Sequence, residues 1–141
     1  MTALPLPRTD DHAVGVSEQR MAAAGLRAFE RIAAQWELSI DEQLTLLGGP
    51  ARSTFFAWRK QPDKAHLSRD TLERLSNLLG IYKSLQILLP DTVAADRWIR
   101  QPNSATPFGG RSALERMLAG NMSDLGVVRQ YLDAVRGGGW S

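Results

Sequence analysis

Apolar residues in this chain recur in steps of three and four, and no stretch alternates apolar with polar at period two, which predicts an all-α fold. The first stripe runs through Leu26, Phe29, Ala33 and Trp36, with Met21, Gly25 and Ile32 beside it and Arg20, Arg27, Glu30 and Arg31 elsewhere. It predicts an amphipathic helix over residues 18–36. Residues 1–17, with Pro5, Pro7, the pair Asp10-Asp11 and no periodicity, read as a flexible tail. A length of 141 residues accommodates one ordinary domain, or two small modules sharing a core.

Capping signals divide the remainder. In Ser39-Ile40-Asp41-Glu42 a serine stands three residues before a glutamate, so each side chain can satisfy the other's backbone N–H at a helix start. Ile40, Leu44 and Leu47 would line the core face of that helix, 40–47, before Gly48-Gly49-Pro50 ends it. A short third helix opens near Ala51, stops at Gln61-Pro62 and should bury Phe55 and Trp58. Ser68 caps a longer fourth helix. Its stripe of Leu72, Leu75, Leu78, Leu79, Tyr82, Leu85, Leu88 and Leu89 is wider than one neighbour requires and predicts a homodimer. Gly80 sits inside this helix at a propensity cost of about 1 kcal/mol. Three further helices follow, over 92–100, from Arg111 or Ser112 to Gly120, and over 122–135, the last with Leu125, Val128 and Leu132 on one face.

The residues needed for catalysis are hard to find. Without cysteine there is no disulfide, thiolate metal site or thiol nucleophile. Neither His12 nor His66 lies in a recognisable nucleophile arrangement, and acidic pairs such as Asp41-Glu42 read as helix-start charge. No strand precedes a glycine-rich phosphate loop. The chain is therefore expected to be no enzyme, with no catalytic residue, cofactor or metal site. Pro5, Pro7, Arg8, Asp10 and Asp11 break any signal-peptide run, and no 18-residue apolar stretch occurs, so a soluble cytoplasmic protein without a membrane segment is expected.

Two helices joined by Gly48-Gly49-Pro50, the second of them short, have the layout of a helix-turn-helix. Arg52, Ser53, Thr54, Phe56, Ala57 and Lys60 are not needed for the core of the second helix and are the candidate DNA-binding residues. Hydroxyls can bond phosphates or base edges, arginine can contact guanine in bidentate fashion, and lysine can neutralise phosphate. Whole-chain charge is only +2, with 14 of 17 basic residues being arginine, but residues 52–74 hold six cations against three acids. Phe56, if exposed, would pack on a thymine methyl or join a dimer core; the sequence leaves both open. The C-terminal third ends in Gly137-Gly138-Gly139-Trp140, which lets Trp140 either anchor a partner or fold back on the helical core.

The string Leu67-Ser-Arg-Asp-Thr-Leu-Glu-Arg-Leu-Ser-Asn-Leu-Leu-Gly-Ile-Tyr-Lys-Ser-Leu85 is followed by Trp98-Ile-Arg-Gln-Pro-Asn103. Phe108-Gly-Gly-Arg-Ser-Ala-Leu-Glu-Arg-Met-Leu-Ala-Gly120 and Val127-Val-Arg-Gln-Tyr-Leu-Asp-Ala-Val-Arg136 come next. In order and spacing these resemble the MbcA/ParS/Xre antitoxins, which join an Xre-like helix-turn-helix to a C-terminal toxin-binding domain. The resemblance runs from about residue 20 to the end. It implies an antitoxin whose partner is a RES-domain toxin that degrades or uses NAD, held inactive by coverage of its active site, with the complex binding its own operator DNA. The NAD chemistry would belong to the partner. Trp98, Arg100, Pro102, Asn103, Gly109, Gly110 and Arg111 would shape the toxin-binding domain, and Arg100, Asn103, Arg111, Arg129, Tyr131, Arg136, Gly138 and Trp140 are the expected toxin-binding residues. The implied organisation is a tail over 1–17, a helix-turn-helix and dimerisation region over 18–90, and a toxin-binding domain over 91–141. A competing class is a stand-alone transcription regulator whose last third is a dimerisation module.

Overall fold

A computed structural model describes residues 7–137 and is helical throughout apart from turns and loops; Gly138 and Trp140 lie outside the described residues. The elements are α1 (Pro7–Gln35), α2 (Ile40–Leu46), α3 (Arg52–Lys60), a single 3-10 turn (Pro62–Lys64), α4 (Arg69–Leu88), α5 (Thr92–Trp98), α6 (Ala113–Met117) and α7 (Met122–Gly137). Among the described residues there is no strand, and one isolated antiparallel bridge joins Pro102 to Ser112. No described helix is long and apolar enough to cross a membrane.

The long first helix corrects one expectation. Its backbone is helical from Pro7, so most of the stretch read as a flexible tail continues the helix. Proline suits the backbone of a first helical turn, so the helix extends beyond its apolar stripe. At the other end, the Leu38 N–H donates to the Ala33 carbonyl and the Glu37 N–H to the Ala34 carbonyl, a Schellman closure. Glu37 occupies the left-handed position at φ 55°, where glycine is the usual residue.

The second helix is capped as the sequence suggests, with Ser39 and Glu42 bonding each other's backbone N–H groups. Its buried face differs from expectation. Gln43, Leu46 and Leu47 are buried, while Ile40 and Leu44 are only partly covered. Gln43 tolerates burial because its amide donates to the Leu38 carbonyl at 3.1 Å and its oxygen accepts from Arg59 at 2.6 Å. The Gly48 N–H and Gly49 N–H close α2 in the same Schellman pattern as α1, onto the Thr45 and Leu44 carbonyls. Gly48 has φ +95°, and a Cβ there would lie 3.0 Å from both Arg74 Nε and Asp70 Oδ2. Glycine is needed at this turn twice over, for its backbone conformation and for the approach of α4.

Helix α4 is the axis of the molecule. Leu75, Leu78, Ile81 and Leu85 are buried, with α1, α5 and α7 packed around them. Contacts with α7 rise together along both helices, from Asn77 and Met122, through Gly80 and Arg129, to Ser84 and Arg136, so the two run parallel. Of the broad leucine stripe, Leu75, Leu78 and Leu85 are buried within the chain, while Leu72, Leu79, Tyr82, Leu88 and Leu89 are only partly covered. A single apolar core extends from Leu26 to Leu132.

Candidate functional site

Two regions of surface carry the residues singled out by sequence. The first is α3. Ala51, its N-cap, offers no side-chain cap, and Phe55 anchors the helix by being buried to 3% exposure. Trp58 is partly buried beside the core. Arg52, Ser53, Thr54, Phe56, Ala57 and Lys60 are all exposed, so the structure brings the expected DNA-binding residues onto open surface of one helix. Arg59 is not among them. Its guanidinium lies over the Phe55 ring, 4.9 Å from the centroid, donates to Gln43 and pairs with Glu30.

The charge of residues 52–74 is also less free than a count suggests. Asp41 pairs with Arg52 at 2.7 Å, and Arg27 pairs with Asp63 at 2.8 Å. Arg74 is buried beneath the Gly48 turn, its side chain 9% exposed, with Nε on Asp70 and Nη1 without a hydrogen-bond partner. Among the described residues, Lys60 and Lys64 form no ion pair. The patch is therefore narrower than the window, with Lys60 and Lys64 outside any such pair and Arg52, at the other end of α3, sharing its charge with Asp41.

The second region is the module formed by α5, α6, α7 and the loop between α5 and α6. Asn103 organises the loop: its side chain accepts from the Ala105 N–H, its N–H donates to the Arg111 carbonyl and its carbonyl accepts from the Gly110 N–H. Gly109 and Gly110, at φ 56° and 88°, make the turn that allows this. Phe108, Trp98 and Tyr131 then meet as an aromatic group, with Phe108 edge-on to both partners and Trp98 stacked against Tyr131 at 6.4 Å. Arg116, from α6, joins the module together by donating to the Pro107 carbonyl and to Asp124 on α7. Burial works against the charge on Asp124, but the hydrogen bonds from Arg116 and Asn121 prevail and hold its carboxyl below the usual range.

Several residues expected to face a partner also make contacts within the chain. Arg100 donates to the Trp36 and Glu37 carbonyls at 3.0 and 2.8 Å and pairs with Glu42, holding the closing turn of α1 against α5. Arg129 donates to the Ser76 carbonyl and pairs with Asp133. Arg136 donates to Ser84, which is fully buried. Asn103 is a loop-builder, and Tyr131 is half-buried in the aromatic group. Arg111 is exposed, with no side-chain hydrogen bond among the described residues. Sequence reading missed the Arg116–Asp124 link and the burial of Arg74, because both depend on contacts between elements with no periodic signature.

A tight glycine-turned helix pair, an exposed second helix with a cation at each end, and a helical module docked on the same long helix define a helix-turn-helix protein with an appended interaction module. Comparison with known proteins agrees: residues 15–80 match the antitoxin Xre-like helix-turn-helix domain, and residues 84–138 match the antitoxin Xre/MbcA/ParS C-terminal toxin-binding domain. The chain is also 52% identical, over 122 residues covering 86% of its length and 92% of the relative's, to the uncharacterized protein y4oB of Sinorhizobium fredii. The chain belongs to the Xre/MbcA/ParS family of antitoxins, with a helix-turn-helix that implies DNA as a partner and a C-terminal module that implies a toxin.

Proposed function

We propose that this antitoxin neutralises a RES-domain, NAD-degrading toxin by covering its active site, and represses its own operon through α3. The observation that carries the reading is the pairing of the two family matches across one continuous helix: the first ends at residue 80 and the second begins at residue 84, both inside α4. On this reading Arg111, the exposed rim of the α5–α6 loop, and residues 137–141 with Gly138 and Trp140 make direct toxin contacts. Arg100, Asn103, Arg129, Tyr131 and Arg136 shape the surface that presents them. Arg52, Ser53, Thr54, Phe56, Ala57 and Lys60 face DNA. The chain itself performs no reaction and works in the cytoplasm as a homodimer inside a larger complex. Support for the dimer comes from the exposed side chains of Ile87, Val93 and Val135 and from the two-fold half-sites that helix-turn-helix dimers read.

Co-expression with the product of the neighbouring gene, followed by affinity capture and measurement of NAD, tests the proposal. Co-purification with protected NAD levels is the expected result. Failure of any neighbour-encoded polypeptide to co-purify, or nucleotide consumption by the purified chain alone, overturns it. Deleting residues 137–141 should leave the unfolding temperature unchanged and weaken neutralisation; a truncated chain that still silences NAD loss fully removes the tail from the interface.

A further inference from the structure

Phe56 is a large aromatic side chain left 45% exposed at the middle of α3, the helix whose exposed residues include Arg52 and Lys60. Its ring is not loose: it stands edge-on to Phe55, 5.3 Å between centroids at 72°, and Phe55 is itself buried and covered by the Arg59 guanidinium. Arg59 is bound in turn to Gln43 and Glu30. The ring is therefore held by the core and fixed toward solvent, so that little rotamer freedom is left to lose on binding.

The surrounding chemistry selects the partner. The residues next to Phe56 on the exposed part of α3 are Ser53, Ala57 and Lys60, with Arg52 one turn before it. Arg59, which could otherwise have read guanine, is consumed within the protein. What is left is an apolar centre with Lys60 after it and Arg52 before it, the latter paired with Asp41 but with its side chain still 59% exposed. That pattern fits a duplex major groove, where phosphates flank base edges and thymine is the standard base that presents a methyl group. A protein partner would have no matching need for cations at both ends of so small a patch. We infer that Phe56 is a specificity-determining residue that reads the 5-methyl group of thymine in the major groove. The inference rests on the reading of α3 as the DNA-binding helix.

The probe is the DNA segment immediately upstream of the chain's own coding sequence, amplified once with dTTP and once with dUTP, so that the duplexes differ in thymine methyls. The full-length protein should bind the thymine duplex about fourfold more tightly for each methyl covered, the factor expected for one CH₂ removed from water. Phe56→Ala should bind both duplexes alike while keeping the salt dependence that Arg52 and Lys60 confer. Thermal unfolding checks that the variant folds. If Phe56→Ala does not fold, Phe56→Leu carries the test, a weakened thymine preference supporting the inference and an unchanged one overturning it. Equal, salt-dependent binding of both duplexes by the unmodified protein overturns the methyl contact and leaves the DNA reading standing. A thymine preference that survives in Phe56→Ala assigns the methyl contact to another residue and overturns it too. Failure to bind either duplex in a salt-dependent way sinks the DNA reading and this inference together.

Discussion

At Gly80 a Cβ would lie 2.6 Å from the Arg129 Cζ and 2.7 Å from its Nε. A glycine inside a helix looks like a defect when only propensity is weighed, yet here it makes room for a guanidinium lying flat across α4 and bonded to the Ser76 carbonyl. Gly80→Ala would gain about 1 kcal/mol of helix propensity. It would displace the far end of a flexible side chain and lose hydrogen bonds of about the same net worth. The expected outcome is a nearly unchanged unfolding temperature with Arg129 unseated. Arg129→Ala should therefore cost about 1 kcal/mol in the native background and close to nothing in the Gly80→Ala background. Denaturant unfolding of the four proteins checks the cycle; equal costs in both backgrounds would show the two sites to be independent. Glu37 teaches the complementary lesson. Its left-handed φ is set by the Schellman closure and by Arg100 holding its carbonyl, and a glutamate gives no local sign of it.

Among the elements, legibility follows the range of the interaction. The caps at Ser39 and Ser68 were readable because each bond spans three residues, and the structure has both; of the two starts open for the sixth helix, Ser112 is its cap. The longer helices were readable from their stripes, except that the first turns of α1, which carry none, were read as a tail. Faces were less so: Gln43 is buried on α2 because partners on Leu38 and Arg59 satisfy it, and Arg74 is buried under a turn belonging to another helix. The exposed side of α3 could be read because core demand removes Phe55 and leaves its exposed neighbours. The bonds of the C-terminal arginines could not be read, since their acceptors are backbone carbonyls and a serine more than fifty positions away. The junction of α6 and α7 gives a pH prediction. The carboxyl of Asp124 is held below its unfolded value by Arg116 and Asn121 against the opposing effect of burial, so it contributes stability above the unfolded pKa of about 3.9. That contribution is lost as pH falls through the lower folded value. Thermal unfolding followed from neutral pH into acid should decline below about pH 4, and Asp124→Asn should be less stable at neutral pH with a flatter acid limb. An unchanged acid limb would show that Asp124 does not contribute to it.

For the whole molecule, the relevant fact is that one core spans both family matches. Leu78, Ile81 and Leu85 are at most 1% exposed, and their cover includes α7. A fragment of residues 1–80, although it contains the entire first match, would cut α4 short and strip Leu78 of that cover. Loss of large buried apolar side chains or of their packing commonly costs 2–5 kcal/mol per site, a large share of a small domain's stability. The fragment should therefore unfold without a sharp transition by circular dichroism, whereas the full chain unfolds in a single step. A cooperative transition in the fragment would establish two independent folding units.

Helix α4 thus belongs to both halves at once. A chimera that joined the first half of this chain to the second half of a relative would place its seam inside that helix and ask one stripe of side chains to fit two foreign surfaces. On the proposed reading, recognition of DNA and recognition of a toxin would therefore be inherited as a linked pair, and new pairings would arise more readily by substitution on the outer faces of α3 and the α5–α6 loop than by exchange of whole segments.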